Sequence, residues 1–82
     1  MVIRMTFENR REGASEIWIE PWPDCFRLKP GEKLTMEFEC DEPDEPLHVE
    51  LTDESLVLWP STLDHPNYSI DDKPANDRNW KS

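Results

Sequence analysis

The sequence predicts an all-β domain: a small antiparallel β-sandwich or open barrel of six to seven short strands, immunoglobulin-like in general architecture. Three observations predict it. Apolar residues alternate with polar ones at period two in one segment after another. No segment repeats its apolar residues at the 3.6-residue period of a helix. Turn signals recur every eight to twelve residues or so, the spacing of small sandwiches and barrels.

The elements follow in order. Residues 2–8 place Ile3, Met5 and Phe7 on one side and Arg4, Thr6 and Glu8 on the other, a half-buried strand. Residues 9–14 are polar, contain Gly13 and form a turn. Residues 15–20 carry Ile17 and Ile19 on one face and Trp18 and Glu20 on the other. Pro21 and Pro23 end that ladder, because proline donates no hydrogen bond.

The clearest signal is Phe26-x-Leu28-x-Pro30-Gly31-Glu32-x-Leu34-x-Met36-x-Phe38, which reads as a β-hairpin over about 25–40. Placing Leu28 opposite Leu34 and Phe26 opposite Met36 keeps every apolar residue on one face. Cys40 then faces Trp22, while Cys25 turns to the other face, roughly 10 Å along the strand. A disulfide needs Cα atoms within about 7 Å, so two free thiols are expected.

Residues 41–46 repeat Asp-Glu-Pro twice and form an extended acidic loop. Residues 47–51 turn Leu47, Val49 and Leu51 inward; Asp53-Glu54 make a turn; residues 55–59 return with Leu56 against Leu51 and Leu58 against Val49. His48 and Trp59 then face each other on the outer side. A short last strand at 68–70 turns at Asp71-Asp72-Lys73. The expected division is a single domain over 1–73 and a polar tail over 74–82 that carries Trp80.

Composition narrows the function. The 82 residues form one domain with a hydrophobic fraction of 35%, too little for both a core and a large internal site. No signal peptide is legible, and no apolar run approaches the ~18–20 residues of a membrane span, so a cytoplasmic location and no membrane contact are expected. Oligomeric state is left open, with a monomer favoured.

The charge is −10 and uneven. Residues 32–54 hold ten acids (Glu32, Glu37, Glu39, Asp41, Glu42, Asp44, Glu45, Glu50, Asp53 and Glu54) against Lys33 alone, a balance of −9. The hairpin parity turns Lys33, Thr35, Glu37 and Glu39 outward, and Glu50 outward on the next strand. One acidic face is thus expected. It argues against direct nucleic-acid binding, which needs clustered Lys and Arg. It suits a basic protein partner, whose approach it would steer. Acidity also keeps a small β domain soluble and discourages edge-to-edge aggregation.

No catalytic or metal-binding motif is legible, and no cofactor is expected. His48 and His65 stand 17 residues apart with no cysteine at ligand spacing. The segment Asp41-x-x-Asp44 lacks the glycine and terminal glutamate of a calcium loop. Cys40 continues the inward parity of Phe38, and Cys25 has Arg27 as its one close basic neighbour, a poor setting for a reactive thiol. With 19 acids, any two look paired, so paired carboxylates say nothing here. The expected protein is not an enzyme.

Glu20-Pro21-Trp22-Pro23-Asp24 supports two readings: a rigid rim that presents Trp22 to a partner, or a Trp that covers one end of the core. The Trp22-Pro23 and Trp59-Pro60 bonds are expected to be trans. The candidate partner-binding residues are Trp22, Glu37, Glu39, Asp41, Glu42, Asp44, Glu45, His48, Glu50 and Trp59. Three functions fit: a module for a basic protein partner, an immunity or inhibitor protein of a nuclease-type toxin, or a ligand-binding protein or enzyme at a Trp-lined end of the sandwich.

Glu20-Pro21-Trp22, Phe26-x-Leu28-x-Pro30-Gly31-Glu32-x-Leu34 and Val57-x-Trp59-Pro60 together resemble a small uncharacterised bacterial β-sandwich family, over about two-thirds of the chain. The resemblance implies a β-sandwich and a bacterial source. It implies no activity and carries over no functional residue.

Overall fold

A computed structural model describes residues 1–22, 24–41, 44–53 and 55–75. Among these residues eight strands form: β1 (Val2–Glu8), β2 (Ser15–Ile19), β3 (Asp24–Leu28), β4 (Lys33–Glu39), β5 (Leu47–Leu51), β6 (Ser55–Pro60), β7 (Asn67–Ile70) and β8 (Lys73–Pro74). They make two four-stranded sheets, β1-β4-β7-β8 and β3-β2-β6-β5, packed as a β-sandwich. All pairs are antiparallel except β2 with β6, which run parallel.

The core lies between the sheets. Ile17, Ile19, Phe26, Leu28 and Leu58 enter from the second sheet, and Leu34, Met36, Phe38, Tyr68 and Ile70 from the first. These are the residues that period-two alternation turns inward. Burying each large apolar side chain contributes about 1.5–3 kcal/mol.

The expected hairpin at 25–40 is not a hairpin. Its turn is real: Glu32 N donates to Lys29 O at 3.0 Å, and Gly31 takes φ 86°, as the third position of a Pro-Gly type II turn requires. The flanking strands diverge, however. β3 pairs with β2 in one sheet, and β4 pairs with β1 and β7 in the other. The segment is an arch across the core. A hairpin and an arch both bury alternate residues, so the pattern alone does not separate them. The free-thiol expectation survives the change of register: Cys25 and Cys40 are both buried and unbridged. Cys25 does sit on the outer side of its strand, opposite Trp18, but it is fully buried.

Asn9, placed by sequence in a polar turn, is a buried hub. Its Nδ2 donates to Gly13 O and Leu28 O, and its Oδ1 accepts from Arg11 N and Ser15 Oγ. Its backbone bonds Glu32 and Gly31 in the arch. It thus ties the 9–14 turn to the arch beside it.

The 47–59 register is as expected, with His48 opposite Trp59, Val49 opposite Leu58 and Leu51 opposite Leu56. The inward placement of Leu47 holds, since it is half-buried and packed against the core, but that of Val49 and Leu51 needs correction. They share the core-facing side with Leu58, yet Val49 is 42% and Leu51 79% exposed. The sheets are offset. Tyr68 on β7 packs on Phe26 of β3 with ring centroids 4.6 Å apart, and Phe7 on β1 lies beside Leu56 of β6 at one cleft. In that stacking β5 overhangs from Val49 onward, while Leu47 still packs against the core.

The last hairpin turns at Asp71 and Asp72, with φ 51° and 67°, values that aspartate tolerates better than most residues. β8 pairs with β7 and Ala75 is fully buried, so residues 74 and 75, the start of the expected 74–82 tail, are folded against the first sheet. The rest of that tail, residues 76–82 with Trp80, lies outside the described residues. Among the described residues one cis peptide bond is present, at Glu20-Pro21, and the Trp59-Pro60 bond is not cis. Pro23 itself lies outside the described residues.

Candidate functional site

The outer faces of the two sheets differ in chemistry. On the first sheet the outward positions are Arg4, Thr6 and Glu8, then Lys33, Thr35, Glu37 and Glu39, then Asn67 and Ser69. That face is polar except at its margins, where Val2 on β1 and Pro74 on β8 share the outward parity. Thr6 and Thr35 bond each other across it at 2.9 Å. On the second sheet Trp18, Val57 and Trp59 form an outward apolar strip, because Trp18 pairs with Val57 and Trp59 follows two residues along. Trp59 is 41% exposed and donates from Nε1 to Glu50 Oε1 at 2.8 Å. Trp18 donates to Glu16 Oε1 at 3.4 Å. Both indoles are thus tethered by a carboxylate at the edge of the ring.

The single acidic face expected for residues 32–54 does not form. β4 and β5 belong to opposite sheets, so Glu37 and Glu39 face one way and His48 and Glu50 the other. Glu37 stands across the ladder from Arg4. Glu39 Oε1 lies 2.7 Å from the Met1 ammonium, and that hydrogen bond raises the ammonium pKa above its ordinary value. Asp41, Asp44 and Glu45 are exposed in the crossover between the sheets. That crossover is pinned to the end of β6: Asp41 N donates to Ser61 O, and Ser61 Oγ donates to Glu45 O. Glu42 lies outside the described residues.

The structure therefore brings together Trp59, His48 and Glu50, with the exposed carboxylates of Asp44 and Glu45 past the end of β5 that carries His48. It separates them from Glu37 and Glu39. Sequence reasoning missed Trp18 and Val57 as members of this face. The signal was present, since both hold the outward parity of their strands, but the parallel β2–β6 pairing that juxtaposes them was not legible.

Trp22 belongs elsewhere. It is half-buried against the core and meets His65 edge-on, with ring centroids 5.7 Å apart. His65 in turn meets Tyr68 edge-on at 5.7 Å. Beneath them lies Asp24, 5% exposed, a carboxylate that accepts from Tyr68 OH at 2.7 Å and lies 2.6 Å from His65 Nε2. Burial, then the bond to Asp24 and its charge, raise the Tyr68 phenol far above its ordinary value of 10. Of the two readings of Trp22, the geometry is that of a cover over one end of the core. The His65-Asp24-Tyr68 group holds the 61–66 loop against β3.

Among the described residues no three His, Cys, Asp or Glu side chains converge as metal ligands would. No helix of the described residues is long and apolar enough to cross a membrane. No family model matches the chain, and no match is found among curated proteins or solved structures. The site therefore rests on its own geometry.

Proposed function

We propose that the protein is a non-enzymatic binding module that receives a basic protein partner on the β5–β6 side of the second sheet. Trp59 is the apolar anchor, with His48 and Glu50 beside it and Asp44 and Glu45 adding negative charge near by. The observation that carries this reading is the exposed Trp59 held in place by Glu50 on a solvent-facing sheet. Interface anchors are commonly Trp residues already fixed in one rotamer, because little side-chain freedom is lost on binding. The sign of the partner follows from charge: residues 34–72 contain no Lys or Arg at all. A nuclease-type toxin with a basic active site is one member of this partner class.

Immobilised protein should retain, at low salt, a basic bacterial protein that about 0.5 M salt releases, since salt screens exposed charge. The Trp59→Ala variant should weaken that retention by roughly tenfold or more, as loss of an anchor does. Retention indifferent to both salt and Trp59→Ala would sink the proposal.

A further inference from the structure

β5 is an outer strand, and among the described residues it pairs with β6 alone. The phase of that ladder is known at both ends. Thr52 N donates to Ser55 O at 2.9 Å, and Ser61 N donates to Pro46 O at 2.9 Å. In an antiparallel pair the bonded residues recur at every second position. Residues 46, 48, 50 and 52 thus bond inward to β6. The N–H and C=O groups of Leu47, Val49 and Leu51 point the other way, to the open edge.

Folded proteins usually blunt such an edge with lysine, proline, a bulge or a covering segment. β5 reads Leu-His-Val-Glu-Leu, with no lysine or proline, and its register with β6 is unbroken. The residues with outward backbone groups are also those with the exposed apolar side chains, Val49 and Leu51. Beside Leu51 a cleft of about 200 Å³ opens, its apolar wall made by Phe7, Ile17, Leu28 and Leu56, with Arg10 and Arg11 also in its lining.

We infer that β5 is an acceptor edge: the partner adds one extended strand to it, making a fifth strand of the second sheet. The inference rests on the binding-module reading and supplies its mode, main-chain pairing with side-chain selection on alternate positions. The occupant is an extended segment in which apolar and basic residues alternate. Its apolar side chains fall beside Val49 and Leu51, on the overhanging face that lacks an opposite strand. Its basic side chains fall on the other face, beside His48 and Glu50 and toward Trp59. A second copy of this chain fits poorly, because it would bring two chains of charge −10 together.

The probe is a capped peptide of about eight residues alternating lysine and valine. One control has the same composition in two blocks, and another is N-methylated on alternate backbone nitrogens. The alternating peptide should bind the wild-type protein and slow hydrogen exchange at the Val49 and Leu51 amides. The Val49→Pro variant removes one edge-facing N–H and no bond to β6. It should bind at least about tenfold more weakly, a change of about 1.4 kcal/mol. The N-methylated peptide should show the same loss against wild type, which decides the matter if Val49→Pro does not fold.

Equal binding by folded Val49→Pro and by the N-methylated peptide overturns the acceptor edge. So does binding without added protection at Val49 and Leu51. Either result leaves the basic-partner reading standing if binding remains salt-sensitive. Failure of every basic peptide, blocks included, to bind at low salt removes that reading as well. Protection of the same amides by self-association in sedimentation, without peptide, overturns the edge in favour of a second copy.

Discussion

The two edges of the second sheet are made of equally short strands and meet different fates. On β3 the core-facing residues Asp24, Phe26 and Leu28 are 5%, 0% and 1% exposed. On β5 the core-facing Val49 and Leu51 are 42% and 79% exposed. Intrinsic preference does not explain this, since Leu-x-Val-x-Leu is at least as apolar as Asp-x-Phe-x-Leu. The cause is what lies across the core. β7 sits over β3 and is tied to it by Tyr68 through Phe26 and Asp24. On β5 only Leu47, at its first position, packs against the core, and Val49 and Leu51 are left uncovered. An alternating strand acquires a buried face only where another layer covers it, and the uncovered strand is the one free to take a partner.

Substitutions at the two edges break or sharpen this contrast. The largest effect is expected at the closed edge from Asp24→Ala, which strips the Tyr68 hydroxyl and His65 of their shared acceptor. Leaving a buried donor unpaired after removing a charged acceptor should cost about 2–4 kcal/mol in denaturant unfolding. A loss well under about 1 kcal/mol would mean that apolar packing alone closes this edge.

Tyr68→Phe keeps the ring and deletes the bond, and should cost about 1–2 kcal/mol. It also carries a pH signature. The folded protein holds the phenol proton more tightly than the unfolded chain, so this contribution is complete below pH 10 and declines as pH rises beyond it. Wild-type stability should therefore fall more steeply above pH 10 than that of Tyr68→Phe. Because Tyr68 is the one tyrosine in the chain, phenolate absorbance reports it directly, and it should appear only as the protein unfolds. Phenolate formation near pH 10 with the fold intact would contradict the buried bond.

The smallest effect belongs to the open edge. Leu51→Ala should change stability by no more than about 0.5 kcal/mol, because the side chain is already mostly in water. A cost of about 2 kcal/mol or more, the range of a core leucine, would show that β5 is covered in solution.

Much of the sandwich was legible residue by residue. The β5–β6 register followed from matching apolar positions and is observed pair for pair. The outward parity of Glu37, Glu39, Glu50 and Trp59 also followed, because side chains alternate strictly along a strand. The candidate site was only partly legible. Its members on β5 and β6 came together because those strands are neighbours in sequence. Its expected members on β4 went to the opposite side, because alternation is blind to which sheet a strand joins. Trp18 and Val57 entered through a parallel pairing of strands far apart in sequence, which no local signal announces. Asn9 looked like a turn residue and proved to be a buried hub, and Asp24 proved to be a buried acceptor, since Leu28 and Tyr68, which they bond, lie in distant segments.

By itself the sequence determined the all-β class, the strand positions, the turn at Pro30-Gly31 and the excess of acid in the middle third. Those are local quantities, set by the period of the chain, the backbone freedom of glycine and the count of charges. Only the tertiary structure decided that the turn at Pro30-Gly31 is an arch, that the acids divide between two faces, and that β5 stands uncovered. Each of these depends on how two sheets pair and stack, and the same alternating pattern is compatible with more than one answer.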